Sequence, residues 1–308
     1  MNKIKNVLIC GLGAIGTIYA AQISKNEDIE LRILADENRI KRYCQNPTLF
    51  NGQEYSFNFI TPEATDFCAD LIIIATKSNN LDEAVSSIKN FVSKGTIILS
   101  LLNGIESEER ISEVYGASKV LYSYYIGHTS TRHGRNITHD GVFKTVFGEK
   151  YNKTLSENVV RVKEFFDKTY IPYEIPEDMD YSRWWKFLVN VGYNQASAVL
   201  NASYGDFHKS KKVNDFAIKL MHEAASIAKA QGVKNTEKLI PEVIEVIKTM
   251  LPDTRTSMLQ DVDAKRQTEV DIFAGYISRY GKKYNISTPY NDMFLELIKA
   301  IDEKNSIN

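Results

Sequence analysis

Apolar residues follow two different patterns along the chain. In the first part, short unbroken apolar runs alternate with amphipathic segments, such as the helix-like residues 81–92. The apolar runs lie at residues 6–10, 29–34, 70–76 and 96–101. Continuous apolar runs are typical of parallel strands that helices cover on both faces. This part is therefore predicted to form an α/β domain with a parallel sheet.

The pattern changes twice further along. Residues 120–148 are rich in β-forming, glycine and polar residues, which predicts mixed or antiparallel strands joined by turns. After about residue 176, apolar positions recur with helical spacing, and we expect the last such stretch, 257–284, to form one long helix. The other predicted helices span residues 184–200, 215–231 and 240–250. The chain is thus divided into an α/β domain, 1–175, and an all-helical domain, 176–308.

Composition and charge exclude several classes of function. The chain has 308 residues, 43% of them apolar, a size and composition that fit two globular domains. With 38 basic and 39 acidic residues, it lacks the positive charge that nucleic acids or anionic membranes attract. The first apolar run is too short for a secretory signal, and the three cysteines are widely spaced without a CxxC pair. We therefore expect a cytoplasmic protein without disulfides, and the five histidines form no HExxH metal motif.

A glycine motif directly follows the first predicted strand and opens a predicted helix. It consists of Gly11, Leu12, Gly13, Ala14, Ile15 and Gly16. In a G-x-G-x-x-G turn the glycines allow a tight bend, close approach of a pyrophosphate, and close packing of helix on strand. Free N–H groups at the start of the helix then bind the phosphates. The motif predicts a dinucleotide cofactor.

The residues after the second strand leave the choice of dinucleotide open. Asp36 lies 20 residues after Gly16, where a carboxylate would accept a hydrogen bond from the ribose of NAD. Three neighbouring arginines, Arg32, Arg39 and Arg42, would instead suit the 2′-phosphate of NADP. The alternative for Asp36 is a structural one, as N-cap of the next helix.

Lys186, Asn190 and Asn194 recur every four residues in a predicted helix. Each step drifts by about 40° around an ideal helix, so the three side chains form one polar stripe. The lysine can protonate a developing alkoxide, and the amides can bind hydroxyl or carboxylate oxygens. The alternative interpretation is a solvated helix face.

Other candidate residues lie at element ends. Ser257 opens the long predicted helix, either as its N-cap or as a ligand of a substrate carboxylate. Glu269 would lie about 18 Å further along the same helix, as a surface charge. Lys77 and Asn103 close two predicted strands, at the edge where doubly wound sheets bind ligands.

Together these motifs resemble those of the ketopantoate reductase (2-dehydropantoate 2-reductase) family, and the resemblance spans almost the whole chain. The matching segments are GLGAIG (11–16), ATK (75–77), LNGIESEE (102–109), THDG (138–141), FGE (147–149), WWKFLVNVGYN (184–194), HEAASIAKAQGV (222–233), SMLQDVDAKRQTEVD (257–271) and STPYND (287–292). The C-terminal segments are far more specific than the glycine motif.

The resemblance implies an α/β Rossmann-type N-terminal domain and an all-α C-terminal domain, as in 6-phosphogluconate-dehydrogenase-like folds. It implies NADP(H)-dependent reduction of 2-dehydropantoate to (R)-pantoate, a step toward pantothenate and coenzyme A, by a homodimer. Lys186 matches the family's proton donor, and Asn190, Asn194 and Ser257 match its substrate-binding positions. The positions matching cofactor contacts are Gly11 to Gly16, Lys77, Asn103, Ser130 and Glu269.

Two departures from the family pattern keep alternatives open. Ala35 and Asp36 stand where the family often has an arginine, which keeps NAD(H) open as the cofactor. Tyr204 stands where some members have a substrate-contacting asparagine, which keeps another small 2-oxo acid or a β-hydroxyacid open as the substrate. A nucleotide-binding sensor without turnover is a further alternative, but it would not need a proton donor.

Overall fold

The computed structural model describes residues 3–127 and 130–307, with the side chains of residues 130–133 left out. The chain forms two compact units, Met1–Met179 and Asp180–Asn308. The first is built on a largely parallel sheet flanked by helices, and the second is helical. The predicted fold class, a Rossmann-type domain followed by an all-α domain, is confirmed.

The described part of the first unit contains an eight-stranded and a four-stranded sheet. The strands are β1 (Asn6–Cys10), β2 (Glu30–Leu34), β3 (Thr48–Phe50), β4 (Gln53–Tyr55), β5 (Phe59–Ile60), β6 (Ala69–Ile74), β7 (Val92–Ser100), β8 (Val120–Gly127), β9 (Ser130–His133), β10 (Asn136–His139), β11 (Phe143–Gly148) and β12 (Tyr173–Glu174). The helices are α1 (Ala14–Ile23), α2 (Glu37–Gln45), α3 (Leu81–Ser87), α4 (Ser107–Tyr115) and α5 (Glu157–Thr169).

The large sheet has the strand order β12-β11-β8-β7-β6-β1-β2-β5, and β1 pairs in parallel with both β2 and β6. Alternate residues of β1 enter two separate cores. Val7 and Ile9 pack with residues of α1 and α5 on one face, whereas Leu8 and Cys10 pack with residues of α3 and α4 on the other. Burial on both faces explains why the strand is an unbroken apolar run.

Two details differ from the sequence predictions. The helix predicted over 81–92 ends at Ser87, and after a 3₁₀ turn β7 begins at Val92, before the predicted start at residue 96. The mixed pairing expected within 120–148 is confirmed, since β11 runs antiparallel to β8. The small sheet, β4-β3-β10-β9, also contains β3 and β4, two three-residue strands that were not predicted.

Helices make up the second unit. They are α6 (Met179–Val189), α7 (Gln195–Leu200), α8 (Tyr204–Lys209), α9 (Lys211–Ala230), α10 (Thr236–Lys248), α11 (Ser257–Asp263), α12 (Ala274–Tyr284) and α13 (Pro289–Ile307). Their inward faces bury residues such as Leu220, Val243 and Ile298. Within residues 3–127 and 130–307, no helix has both the length and the apolar character needed to cross a membrane.

The single long helix predicted over 257–284 is wrong. The segment forms α11, a loop, a 3₁₀ turn and α12. α11 ends in a Schellman motif, in which the Arg266 N–H bonds the Asp261 carbonyl at 2.8 Å and Lys265 adopts a φ of +52°. Glycine usually marks this left-handed position, so a lysine there gave no sign of the break.

Tyr170 provides a test of backbone strain. It follows α5 with a φ of +53°, and its side chain is 81% exposed. We expect Tyr170→Gly to raise the free energy of unfolding by about 0.5–1 kcal/mol, because glycine adopts this conformation without strain. The measurement is urea unfolding, with Tyr170→Ala as control. Ala retains a Cβ and should give no gain, and an equal gain from both variants would refute the explanation.

Candidate active site

The glycine motif forms a turn in which Gly11 and Gly16 leave no room for a Cβ. Gly11 follows β1 with a φ of +102°, and a Cβ there would lie 2.7 Å from the Ala75 carbonyl oxygen. A Cβ on Gly16 would lie 1.9 Å from the carbonyl oxygen of Gly11. Gly13 is the N-cap of α1, whose first turn has no side-chain cap and no acidic residue. The first N–H groups of α1 thus begin a helix whose positive end suits a phosphate.

The strand register brings further candidates to the same edge of the sheet. Cys10 pairs with Leu34 and with Ile74, and Ile74 pairs with Ser100, so these strands end level with one another. Lys77, two residues beyond Ala75, is exposed and begins a 3₁₀ turn. Asn103 is half-buried in the bend that follows β7. The predicted position of both residues at the carboxyl edge is correct.

Thr76 is a candidate that the sequence reasoning missed. Its Oγ1 is buried without a hydrogen-bond partner in the described structure, and its methyl group would lie 2.9 Å from a Cβ on Gly11. The only sequence signal was its place just after a buried strand. A cradle closed to side chains, a helix N-terminus and an unsatisfied hydroxyl together fit a phosphorylated dinucleotide.

The polar stripe of the second unit includes a π-helical turn. α6 continues into a π turn, Asn190–Asn194, which α7 follows. Both asparagines are buried, and Asn194 Nδ2 donates to Asn190 Oδ1 at 3.1 Å. A π turn holds more residues than an α turn. It therefore reduces the angle around the helix axis between side chains that are four residues apart. π turns occur often at functional sites.

Ser257 joins this stripe. Asn194 Nδ2 also donates to Ser257 Oγ, at 3.2 Å. The interpretation of Ser257 as an N-cap is wrong, because the N-cap of α11 is Thr256, whose hydroxyl accepts from the Leu259 N–H. Ser257, freed from that role, is exposed at the first position of the helix. The structure thus brings together three residues that are separated by up to 67 positions in the sequence.

Lys186 precedes Asn190 by four residues and is half-buried. No hydrogen bond or ion pair to its Nζ occurs among the described residues. Burial lowers the pKa of the Lys186 ammonium to about 8, because desolvation disfavours the charged form. An amine with this pKa can give and take a proton near neutral pH.

Two family models match this chain, and together they cover most of it. Ketopantoate reductase PanE/ApbA matches residues 7–152, and ketopantoate reductase PanE/ApbA C terminal matches residues 178–302. The chain belongs to the ketopantoate reductase family. It is 29% identical over 304 residues to the 2-dehydropantoate 2-reductase of Pyrococcus horikoshii, covering 96% of each chain. It is 27% identical to that of Lactococcus lactis, covering 96% of this chain and 98% of the relative.

Solved structures share the fold of this ketopantoate reductase family member. D-mandelate dehydrogenase with NADH and anilino(oxo)acetate superimposes with a TM-score of 0.85 at 23% identity, covering 98% of this chain and 99% of the other. A PanE/ApbA family ketopantoate reductase from Ralstonia eutropha superimposes with a TM-score of 0.83 at 22% identity and the same coverage.

Asp36, the position where the family often has arginine, is the N-cap of α2. Its Oδ1 accepts from the Arg39 N–H at 2.8 Å, and its Oδ2 lies 3.1 Å from Arg39 Nε. The structural alternative stated for Asp36 is therefore correct. The carboxylate is still half-exposed, and Arg39 offsets much of its charge.

Glu269 and Ser130 belong to elements other than those that carry the polar stripe. The expectation that Glu269 continues the helix of Ser257 is wrong, because the loop after α11 separates them and Glu269 precedes a 3₁₀ turn. It is half-buried and has polar partners. Ser130 begins β9, opposite His139, but its side chain lies outside the described residues.

Tyr204, the other departure from the family pattern, begins α8 and is buried. Its N–H donates to the Thr254 carbonyl at 3.2 Å, three residues before Ser257. Burial raises the pKa of the Tyr204 phenol to about 12, so the hydroxyl stays protonated at neutral pH.

The lowered pKa of Lys186 predicts a gain in stability when its charge is removed. The pKa of Lys186 in the folded protein, about 8, lies below its ordinary value. Below pH 8 the amine is charged in both states, and its cost to the free energy of unfolding is then largest. That penalty fades as the pH approaches the unfolded pKa. Lys186→Met should therefore raise the free energy of unfolding at pH 7 by on the order of 1–2 kcal/mol, and by less at pH 9.5.

Urea unfolding at the two pH values measures this. Lys163→Met is the matched control, because Lys163 is paired with Asp167 at 2.9 Å and this pairing raises its pKa. The control should give no gain. A Lys186→Met variant that is no more stable than the wild type at pH 7 would contradict the desolvation of Lys186.

Proposed function

We propose that this protein reduces 2-dehydropantoate to (R)-pantoate with a reduced nicotinamide cofactor. The observation that carries the proposal is the cluster of Lys186, Asn190, Asn194 and Ser257. A lysine of lowered pKa lies four residues before Asn190, and Asn194 donates both to Asn190 and to Ser257. Family membership and curated relatives that carry this activity support it. The proposed enzyme is a cytoplasmic homodimer, as the family resemblance implies.

The hydrogen bonds within the cluster define what it offers a substrate. Both Asn194 Nδ2 protons are engaged, one by Asn190 and one by Ser257. Among the described residues, no partner is bonded to Asn190 Nδ2 or Asn194 Oδ1. The cluster therefore presents donors from Asn190 and from the Ser257 hydroxyl, and an acceptor at Asn194 Oδ1.

This set matches a small 2-oxo acid that carries a hydroxyl group. The substrate carboxylate accepts from the Ser257 hydroxyl, and the distal hydroxyl bonds the amides of Asn190 or Asn194. Neutral amides fix these groups without adding charge beside Lys186. The cluster thereby orients the keto oxygen for protonation.

Lys186 supplies the proton. In its ammonium form it donates to the keto oxygen and stabilises the alkoxide that develops there. The keto carbon gains a hydride and the oxygen gains the proton, which together yield the alcohol. The neutral amine that remains is accessible near neutral pH because burial lowers the lysine pKa to about 8.

The first unit would hold the cofactor. The turn from Gly11 to Gly16 and the N-terminus of α1 would bind its pyrophosphate, with Lys77, Asn103 and the Thr76 hydroxyl at the same sheet edge. We also assign Ser130 and Glu269 to cofactor contacts, on family resemblance. When bound, a reduced nicotinamide supplies the hydride.

We propose NADPH as the preferred form. Arg32 lies on β2, and Arg39 and Arg42 lie on α2, with Arg42 in its last turn, and these cations would attract a 2′-phosphate. Asp36 opposes that attraction, but Arg39 is paired with it. The family resemblance also implies NADPH.

The activity is tested by NADPH oxidation with 2-dehydropantoate. We expect kcat/KM to fall as pH rises through about 8, because the protonated Lys186 is the acid. Lys186→Ala should lower kcat roughly 10²–10⁴-fold while the Kd for NADPH stays within twofold. Pyruvate, a 2-oxo acid without the hydroxyl, is the control substrate and should react poorly. No turnover of 2-dehydropantoate, or faster turnover of pyruvate, would refute the assignment.

Cofactor preference is tested with Asp36→Asn. Asparagine caps a helix as well as aspartate does, so stability should be retained while one negative charge is removed. The ratio of kcat/KM for NADPH to that for NADH should rise about tenfold, the factor that corresponds to about 1.4 kcal/mol of repulsion. Asp28→Asn, which removes the carboxylate paired with Lys168, is the matched control and should leave the ratio unchanged. A wild-type preference for NADH would overturn the proposal.

A further inference from the structure

Gln195 follows the π turn directly and is fully buried. In an α-helix its backbone N–H would bond the Val191 carbonyl four residues back. Here the Gln195 N–H points to the Gly192 carbonyl instead, and the Gln195 side chain bonds the Val191 carbonyl, to which its Nε2 donates at 2.7 Å. The side chain thus hydrogen-bonds a carbonyl oxygen of the buried π turn.

The same amide links the π turn to two other helices. Gln195 Oε1 accepts from the Ala274 N–H at 3.0 Å, at the start of α12, where no side chain of the N-cap residue serves as a cap. Gln195 Nε2 also lies 3.2 Å from Asn291 Oδ1, on α13. One buried amide therefore fixes the π turn relative to α12 and α13.

The turn is closely packed on its other side. A Cβ on Gly192 would lie 2.6 Å from Met221 Cγ and 3.0 Å from the Ala217 carbonyl oxygen, both on α9. Gly192 therefore allows the turn to approach α9, and Gln195 holds it from the opposite end. Reversion to regular α-helix would rotate Asn194, at the end of the turn, relative to Lys186 and Asn190, and would separate it from Ser257.

We propose that Gln195 is a positioning residue for the reductase: it maintains the π turn that places Asn194 beside Asn190 and Ser257. It does not itself contact substrate, and its effect is exerted on substrate binding through the two asparagines. This role rests on the proposed function only for its kinetic consequence. Its effect on the geometry of the asparagines does not depend on the proposed function.

Gln195→Met tests the role, because methionine has similar length but can neither donate to Val191 nor accept from Ala274. We expect KM for 2-dehydropantoate to rise about tenfold or more, with a smaller change in kcat and a Kd for NADPH within twofold of the wild type. The crystal structure of the variant should show the 3.2 Å contact between Asn194 and Ser257 broken.

Gln231→Met is the matched control. Gln231 Nε2 donates to the Tyr276 hydroxyl at 2.6 Å in the same unit. The control therefore loses a hydrogen bond of a side-chain amide that is not part of the π turn. Its KM should stay within twofold of the wild type. If the role of Gln195 were only structural, Gln195→Met would behave like the control. Its melting temperature would fall and its KM would stay unchanged.

Should Gln195→Met fail to fold, Gln195→Glu keeps the acceptor for Ala274 but loses the donor to Val191, and the same rise in KM is expected. Either variant with KM within twofold of the wild type, or with the contact between Asn194 and Ser257 intact, overturns the proposal. If the wild type does not reduce 2-dehydropantoate, the proposed function fails. The crystallographic comparison then still decides the role of Gln195.

Discussion

The close approach of the main chain at Gly11 to two neighbouring segments is the constraint on which the first unit depends. Gly11 lies against the Ala75 carbonyl on one side and against Gly16 on the other, at distances that exclude any Cβ. This contact fixes where β1 stops, where α1 starts and how closely the helix packs on the sheet. The strands on either side end at the same level, so the polar residues that follow them share one edge.

The second unit meets a different requirement. Three polar residues, Lys186, Asn190 and Asn194, have to remain available on a helix that is otherwise buried. The cost of burying the lysine is visible in its lowered pKa, and the amides are only partly satisfied, since Asn194 bonds Asn190 and Ser257 through one amide nitrogen. Such partly satisfied polar clusters reduce stability for the sake of function, so they are found where a ligand completes the hydrogen bonding.

Sequence reasoning succeeded where a local pattern had a single physical cause. The strand at residues 6–10, the glycine turn and the positions of Lys77 and Asn103 follow from apolar runs and glycines, which act locally. It failed at the π turn, where a side chain bonds a helix carbonyl, and at the break after α11, where a lysine adopts a left-handed backbone conformation. Neither Gln195 bonding Val191 nor Lys265 in a left-handed conformation has a signature in a single sequence.

The start of the last helix is anchored by a buried carboxylate. Glu223 of α9 accepts from the N–H groups of Tyr290 and Asn291 and from the Asn291 side chain, at 2.7–2.9 Å. Asn291 in turn contacts Gln195, beside the polar stripe. The 19-residue helix α13 is consequently tied to the second unit beside the polar stripe. Removing α13 would remove the contact of Asn291 with Gln195, next to Asn190 and Asn194, although no residue of α13 belongs to that pair.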